Sequence, residues 1–156
     1  MALKDEELVE YWLNNQGFFC MRGVKEGLHE IDILALHPLT GERWHYEVQV
    51  SFRPIGYVGG NSNARKRSLE EITEGVQQWI KKKFYMVAER RDTILPDCKF
   101  AVVLGVLREE LEAELMEENG IKVISYKNIL EELKNGKSMV SSDAGHIVEL
   151  LRNKQE

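Results

Sequence analysis

The sequence feature that most constrains the fold is a nearly all-apolar run at residues 99–107, KFAVVLGVL. Polar residues do not alternate with apolar ones along this run, so a strand formed by it has no face suited to water. Such strands are typical of sheets that are covered on both faces by helices. The run therefore predicts an α/β protein whose sheet is enclosed by helices.

Three strand-like segments precede that run and are separated by short turns. Proline and glycine in PLTGE, residues 38–42, mark the turn before the third segment, and we expect Gly23 and Gly27 to bracket the turn before the second. Three strands joined in this way form an antiparallel meander. The segments are FFCMRGV (18–24), EIDILALH (30–37) and RWHYEVQVSF (43–52).

Helical periodicity accounts for most of the remaining chain. Apolar residues at helical spacing predict a first helix at 4–16 and a second that begins after Ser68, where Glu71 completes a capping box. We expect the second helix to continue through residue 90. The further predicted elements are a helix at 108–119, the strand IKVISY (121–126), the helix KNILEELKNG (127–136) and a last helix in SSDAGHIVELLRNK (141–154).

The resulting order, αβββ followed by α, β, α, β and helices, predicts one mixed sheet with helices on its faces. A chain of 156 residues is long enough to build a core without disulfides or a structural metal. We expect a single domain across residues 1–156. Its core would span about 4–107, with a C-terminal β/α extension at about 108–156.

Charge is distributed unevenly along the chain. The formal net charge is −5, which argues against a protein that is basic over its whole surface. Residues 53–83 nevertheless hold seven basic and three acidic side chains. A basic segment in an acidic chain permits local binding of phosphate groups.

Several classes of protein are disfavoured by the sequence. Cys20 and Cys98 are far apart and no Cys/His spacing suggests zinc, so two reduced thiols are expected. No apolar run reaches the length of a membrane span, and the first residues lack the apolar region of a secretory signal. We expect a cytoplasmic protein without membrane contact. A small-molecule enzyme is disfavoured because there is no phosphate loop or Ser/His/Asp signature.

Two acids stand inside the apolar strands of the meander. Asp32 lies in the second segment, and Glu47 lies in the third with Gln49 two residues later. Alternation places Asp32 on the face opposite Ile31 and Ile33, and hairpin pairing brings it next to Glu47. Adjacent carboxylates repel each other unless a cation lies between them, and Mg²⁺ accepts such oxygen ligands. The pair therefore predicts a magnesium site that can polarise a bound phosphate.

The histidines near these acids admit two interpretations. His45 points the same way as Glu47 by alternation, and His29 and His37 lie in or beside the same hairpin. A histidine near a phosphate site can shuttle protons. A histidine in a strand can also fill space or lie at the surface, and the sequence leaves both interpretations open.

The order of these motifs resembles the core of the PD-(D/E)xK nuclease superfamily. There, an acid on the second strand is followed by (D/E)-x-K on the third, after a leading helix. Asp32 in GLHEIDILA matches the first acid, and Glu47-Val48-Gln49 in YEVQV matches the second element with glutamine in place of lysine. The resemblance covers residues 4–107. It is nearest in look to archaeal Holliday-junction resolvases and other restriction-endonuclease-like proteins.

The resemblance implies a restriction-endonuclease-like fold and a nuclease that hydrolyses DNA with Mg²⁺ or Mn²⁺. Asp32 and Glu47 would hold the metal, and Gln49 would assist at the site. An acid on the first helix, Glu6 or Glu10, would act as an outer or second-metal acid. Resolvase-like relatives act as dimers, so a homodimer is expected by resemblance.

Glutamine at position 49 is the point at which the chain departs from the motif. The motif lysine is credited with positioning water and stabilising charge, whereas Gln49 is uncharged. Some restriction enzymes of the superfamily use glutamine there, and a neighbouring base could replace the lysine. Arg53, Lys81 and Lys82 are the candidates. The alternative is a catalytically inactive module of the same fold that binds nucleic acid or acts as a scaffold.

The segment after the third strand, RPIGYVGGNSNARKR at residues 53–67, is rich in glycine and basic residues. Arginine and lysine neutralise phosphates, and tyrosine can stack on a base. We therefore expect a loop that contacts DNA, with an ordinary solvated loop as the alternative. The candidate DNA-binding residues are Arg53, Tyr57, Arg65, Lys66 and Arg67.

Overall fold

A computed structural model describes residues 2–50, 68–105 and 110–136 of the chain. The helices and strands in chain order are α1 (Ala2–Asn15), β1 (Phe19–Glu26), β2 (His29–Leu36), β3 (Arg43–Gln49), α2 (Leu69–Ile80), a π-helical turn (Lys81–Tyr85), α3 (Ala88–Ile94), β4 (Lys99–Leu104), α4 (Glu110–Glu118), β5 (Ile121–Ser125) and α5 (Tyr126–Asn135). The strands form one sheet in the order β1-β2-β3-β4-β5. Pairing is antiparallel from β1 to β3 and parallel from β3 to β5, which confirms the predicted α/β class with a mixed sheet.

Strand β4 is buried on both faces, as its apolar sequence predicts. Ala101 and Val103 join a core formed with α1 and α5, whereas Val102 and Leu104 join a core formed with α2 and α4. Full burial of an aliphatic side chain contributes about 1.5–3 kcal/mol. The sheet is therefore the middle of three layers, and its two faces are stabilised by different helices.

The meander forms, but its first turn lies later than the sequence suggested. β1 continues through Gly23 to Glu26, and the turn to β2 consists of Gly27 and Leu28. Gly27 has a φ of 59°, a conformation that glycine adopts without steric cost. The expectation that Gly23 borders this turn is wrong. Gly23 instead lies inside β1, where its positive φ is a local irregularity of the strand.

The second helix does not continue unbroken to residue 90. After Ile80 the chain forms the π-helical turn, in which the Met86 N–H donates to the Lys81 carbonyl oxygen at 2.8 Å. The bond spans five residues instead of four, so the side chains that follow are rotated relative to a continuous α-helix. Helix α3 begins only at Ala88. The prediction of one continuous helix is therefore wrong in its second half.

The other predicted elements occur in the expected order. Ser68 is the N-cap of α2, and Glu71 completes the capping box. Helix α4, strand β5 and helix α5 follow β4. The predicted last helix at 141–154 lies outside the described residues. Among the helices that the structure describes, none combines the length and the apolar character needed to cross a membrane.

Candidate functional site

Strands β2 and β3 separate at the point where both predicted acids stand. Their pairing ends with Ile33 opposite Tyr46, so the next opposing residues are Asp32 and Glu47. Here carboxylates replace the main-chain partners of the ladder. The Asp32 N–H donates to Glu47 Oε2 and the Val48 N–H donates to Asp32 Oδ2, each at 2.9 Å. The backbone of the opposite strand therefore holds each acid in place.

Strand alternation is interrupted at Asp32. Ile31 packs in a small core with Val87, whereas Ile33 lies in the core with α1 and α5. The expectation that Ile31 and Ile33 share a face is therefore wrong. On β1, the residue that faces this interruption is Gly23, whose φ of 68° breaks the regular pleat. The backbone is therefore irregular at the position where the Asp32 carboxylate points towards β3.

Glu47 is the most enclosed acid at this site, with 1% of its surface exposed. Its Oε2 accepts a hydrogen bond from the Asp32 N–H and lies 3.0 Å from His45 Nε2. Its Oε1 has no hydrogen-bond partner among the described residues, and Lys83 Nζ lies 4.0 Å from it. A buried carboxylate oxygen without a donor is costly, so Oε1 is the unsatisfied point of the site.

On helix α1 it is Glu6, and not Glu10, that lies beside the strand acids. Glu6 is buried and shares a side-chain hydrogen bond with Asp32. Glu10 instead accepts a hydrogen bond from Arg22 Nε at 3.2 Å. Glu30 also approaches, because one carboxylate oxygen from each of Glu6, Glu30 and Asp32 lies within 4.8 Å of the others. These residues supply a group of oxygen atoms that could hold a cation.

Burial and mutual repulsion raise the pKa values of these acids. Burial, the charge of Asp32 and the hydrogen bond with it raise the pKa of Glu6 to about 7. Burial and the charge of Glu47 raise the pKa of Asp32 to about 7. Burial raises the pKa of Glu47 to about 8, against the opposing effects of the Asp32 N–H and Lys83. A cation among the three acids would replace the protons and relieve the repulsion.

Lys83 and Glu30 lie at this site although neither was a candidate from the sequence. The Lys83 side chain is 31% exposed and contacts Glu47, whereas Lys81 and Lys82, the lysines proposed from sequence, are exposed. Lys83 follows Ile80 by three positions and Val76 by seven, which places it on the buried stripe of a helix. This helical spacing is the feature of the sequence that could have identified Lys83. The π-helical turn then determines the direction of its side chain.

His45 is fully buried beside Glu47. Its Nε2 faces the Glu47 carboxylate, its Nδ1 lies 3.3 Å from Arg91 Nη1, and its ring lies 4.5 Å from the Phe84 ring. Burial and the Arg91 charge lower the pKa of His45 to about 3. The ring is therefore neutral near pH 7, and its contact with Glu47 is a hydrogen bond and not an ion pair. A histidine held in this way fits a supporting role better than a proton shuttle.

Gln49 ends β3 two residues beyond Glu47. Its carbonyl oxygen accepts a hydrogen bond from the Gly105 N–H at 3.1 Å. A Cβ atom on Gly105 would lie 2.7 Å from Val50 Cγ1 and 2.9 Å from Val50 Cα, closer than non-bonded atoms approach. Glycine is therefore required at 105 for the chain to pass β3 this closely, and it helps to fix the end of the strand that carries Gln49.

The predicted DNA-contacting residues lie outside the described part of the chain. They are Arg53, Tyr57, Arg65, Lys66 and Arg67. Arg53, which the sequence also offers as a replacement for the motif lysine, therefore cannot be placed relative to Glu47. The expectation that this segment contacts DNA therefore depends on the sequence alone.

Comparison with known proteins provides no relative of this chain. No family model, no curated protein and no solved structure matches it.

Proposed function

We propose that the protein is a metal-dependent nuclease with a restriction-endonuclease-like fold, and that it hydrolyses phosphodiester bonds in DNA. The observation that carries the proposal is Glu47 Oε1, a buried carboxylate oxygen that receives no hydrogen bond from any described residue, at the point where β2 and β3 separate. The Asp32 N–H and Lys83 Nζ contact the same carboxylate group, and the charge of Glu6 raises its pKa. Buried acids with raised pKa values beside a lysine are more typical of a functional site than of a core.

The order of the elements supports the fold in this proposal. Helix α1, the meander β1–β3, α2 and β4 follow the αβββαβ order that the resemblance implies. The acids Asp32 and Glu47 stand on β2 and β3, as the motif requires. Their contact through main-chain hydrogen bonds gives a physical reason for the spacing between them, because each carboxylate replaces a missing partner in the ladder.

The donor set fits a hard divalent cation. Carboxylate oxygens are the ligands that Mg²⁺ and Mn²⁺ prefer. Asp32 and Glu47 would hold the ion, and Glu6 would stand beside it. When bound, the ion supplies Lewis acidity for phosphate ester hydrolysis. Because the two strand acids are already held by backbone N–H groups, binding requires the loss of protons more than a rearrangement.

We assign to Lys83 the positive charge that a motif lysine would supply. Gln49 is uncharged, whereas the Lys83 ammonium lies 4.0 Å from Glu47 Oε1. A cation at this distance favours the ionised carboxylate, and it can also neutralise charge that develops on a reacting phosphate. Lys83 in the π-helical turn would thereby supply the positive charge that β3 lacks because it carries Gln49 instead of a lysine.

Cleavage assays on labelled DNA test the proposal. Linear, branched and single-stranded substrates are incubated with the full chain in Mg²⁺, Mn²⁺ or a chelator. We expect cleavage only with metal, and a fall to background in Asp32→Asn and Glu47→Gln, because each substitution removes a charged ligand. Glu10→Gln is the matched control, since Glu10 lies on the same helix as Glu6 but pairs with Arg22.

Three results would contradict parts of the proposal. If no substrate is cleaved with either metal while DNA binding is retained, the protein is the inactive binding module of the same fold. Cleavage that survives in both Asp32→Asn and Glu47→Gln would mean that the active site lies elsewhere. A loss of cleavage in Glu10→Gln but not in Glu6→Gln would show that the wrong helix acid has been assigned.

A further inference from the structure

Arg91 lies in the interior behind the acids, with 5% of its surface exposed although it carries a permanent charge. Its Nη1 donates to the Phe84 carbonyl oxygen at 2.5 Å and lies 3.3 Å from His45 Nδ1. Its Nε donates to Asp92 Oδ1 at 3.1 Å, and the guanidinium lies over the Phe100 ring at 4.6 Å. Burial of a charge is costly, so a guanidinium held by this many contacts calls for a physical explanation.

The donors and acceptors of these groups fix the direction of the hydrogen bonds. A guanidinium has donors only, so His45 Nδ1 must accept from Arg91 and carries no hydrogen. The ring hydrogen is then on Nε2, which donates to Glu47 Oε2 at 3.0 Å. Oε2 therefore receives two donors, the imidazole and the Asp32 N–H, whereas Oε1 has no hydrogen-bond partner among the described residues and lies 4.0 Å from Lys83 Nζ.

The same nitrogen of Arg91 also holds the turn that carries Lys83. The Phe84 carbonyl oxygen belongs to the π-helical turn, and Phe84 follows Lys83 directly. One buried side chain thus connects to both parts of the site. It reaches the strand acid through His45, and it reaches the lysine through the backbone of the neighbouring residue.

We propose that Arg91 and His45 are positioning residues of the metal site. Arg91 fixes the His45 ring in the Nε2–H tautomer, and His45 orients Glu47 so that Oε1 faces the cation. That a metal binds here rests on the proposed function, whereas the hydrogen bonds from Arg91 to His45 and from His45 to Glu47 do not depend on it. Loss of the outer partner of a metal ligand typically weakens metal binding by about 10- to 100-fold.

Mn²⁺ affinity of the full chain, measured by calorimetry, separates positioning from packing. His45→Gln keeps an N–H donor at the reach of Nε2, whereas His45→Asn is too short to reach Glu47. His45→Phe keeps the ring against Phe84 and Phe100 but has no donor. We expect about 10- to 100-fold weaker Mn²⁺ binding in the Phe and Asn variants and affinity near wild type in His45→Gln. A purely structural role gives the opposite order, because phenylalanine fills the apolar surroundings best.

Arg91→Met is expected to weaken Mn²⁺ binding over the same range. Its matched control is Asp92→Asn, which alters the partner of Arg91 Nε but not the contact between Arg91 Nη1 and His45, and it should leave the affinity unchanged. Thermal unfolding of each variant in chelator verifies that folded proteins are compared. Equal Mn²⁺ affinity in the wild type, His45→Phe and Arg91→Met overturns the proposal.

Nitrogen-15 chemical shifts of the His45 ring test the tautomer in the absence of metal. We expect the hydrogen on Nε2 in the wild type. A hydrogen on Nδ1 overturns the inference, whatever the protein does with metal. If the wild type binds no Mn²⁺ while Nε2 carries the hydrogen, the proposed function fails and the chain from Arg91 through His45 to Glu47 is supported.

Discussion

Both faces of β3 are buried, but burial stabilises the fold on one face and costs free energy on the other. On one face, Tyr46 and Val48 pack into the core with α1 and α5. On the other, His45 and Glu47 are enclosed to the same degree and form a chain of hydrogen bonds that reaches Arg91. Apolar burial stabilises the fold, whereas keeping a carboxylate from water costs free energy.

This difference shows how a small protein can hold an acid inside its sheet. Alternation along a single strand sends one set of side chains to the core and the other set to the site. The polar face is tolerated because Glu47 Oε2 receives donors from a backbone N–H and an imidazole. Stability and metal binding should therefore respond to different substitutions on the same strand.

The largest expected effect contrasts neighbouring residues on the two faces. Tyr46→Ala should lower the free energy of unfolding by about 3–5 kcal/mol, because it removes a buried aromatic side chain and leaves a cavity. Glu47→Gln should leave that free energy unchanged or raise it at about pH 8 in chelator, because it removes a buried charge. Urea unfolding of both variants measures the contrast. A large loss in Glu47→Gln would mean that the carboxylate stabilises the fold itself.

A smaller effect is expected from the lysine that approaches the polar face. Lys83→Met should slow metal-dependent DNA cleavage by roughly 100-fold, because it removes a positive charge that would stabilise the reacting phosphate. Lys82→Met is the matched control, since that neighbouring side chain is exposed. Single-turnover cleavage rates compare the two. Equal rates in both variants would remove Lys83 from the site, and partial activity in Lys83→Arg would support its role as a charge.

The last effect concerns the dependence of stability on pH without metal. In the folded protein the pKa values of Glu6 and Asp32 are raised to about 7, and that of Glu47 to about 8. The folded state therefore binds more protons than the unfolded state between about pH 5 and 8. The free energy of unfolding should fall as pH rises through this range, because the folded state gives up these extra protons.

Chemical unfolding in chelator across this pH range checks the slope. The double variant Asp32→Asn, Glu47→Gln should have a flatter profile, because two of the three groups no longer titrate. Mg²⁺ should oppose the fall in the wild type, since the ion binds the ionised acids and stabilises the folded state in proportion to its occupancy. A wild-type profile as flat as that of the double variant would mean that these acids are ionised over the whole range.

The site divides into parts that could and could not be predicted from sequence. Asp32 and Glu47 were accessible because a short turn joins their strands, so spacing and alternation suffice to bring them together. The identity of the helix acid was left open between Glu6 and Glu10, because one helical turn separates them and both suit the same face. Lys83 could not be told from Lys81 and Lys82 by composition, and only its spacing from Val76 and Ile80 distinguishes it, because the π-helical turn that holds it is not visible in the sequence.

The sequence by itself determined the order of strands and helices, the burial of β4 on both faces and the position of Asp32 opposite Glu47 on neighbouring strands. These features follow from periodicity and turn chemistry, which act over a few residues. Only the tertiary structure decided that Glu6 meets Asp32, that Lys83 reaches Glu47 and that Arg91 supports the site from behind. Such contacts depend on how α1, the π-helical turn and α3 dock on the sheet, and docking is set by packing over whole surfaces rather than by any local pattern.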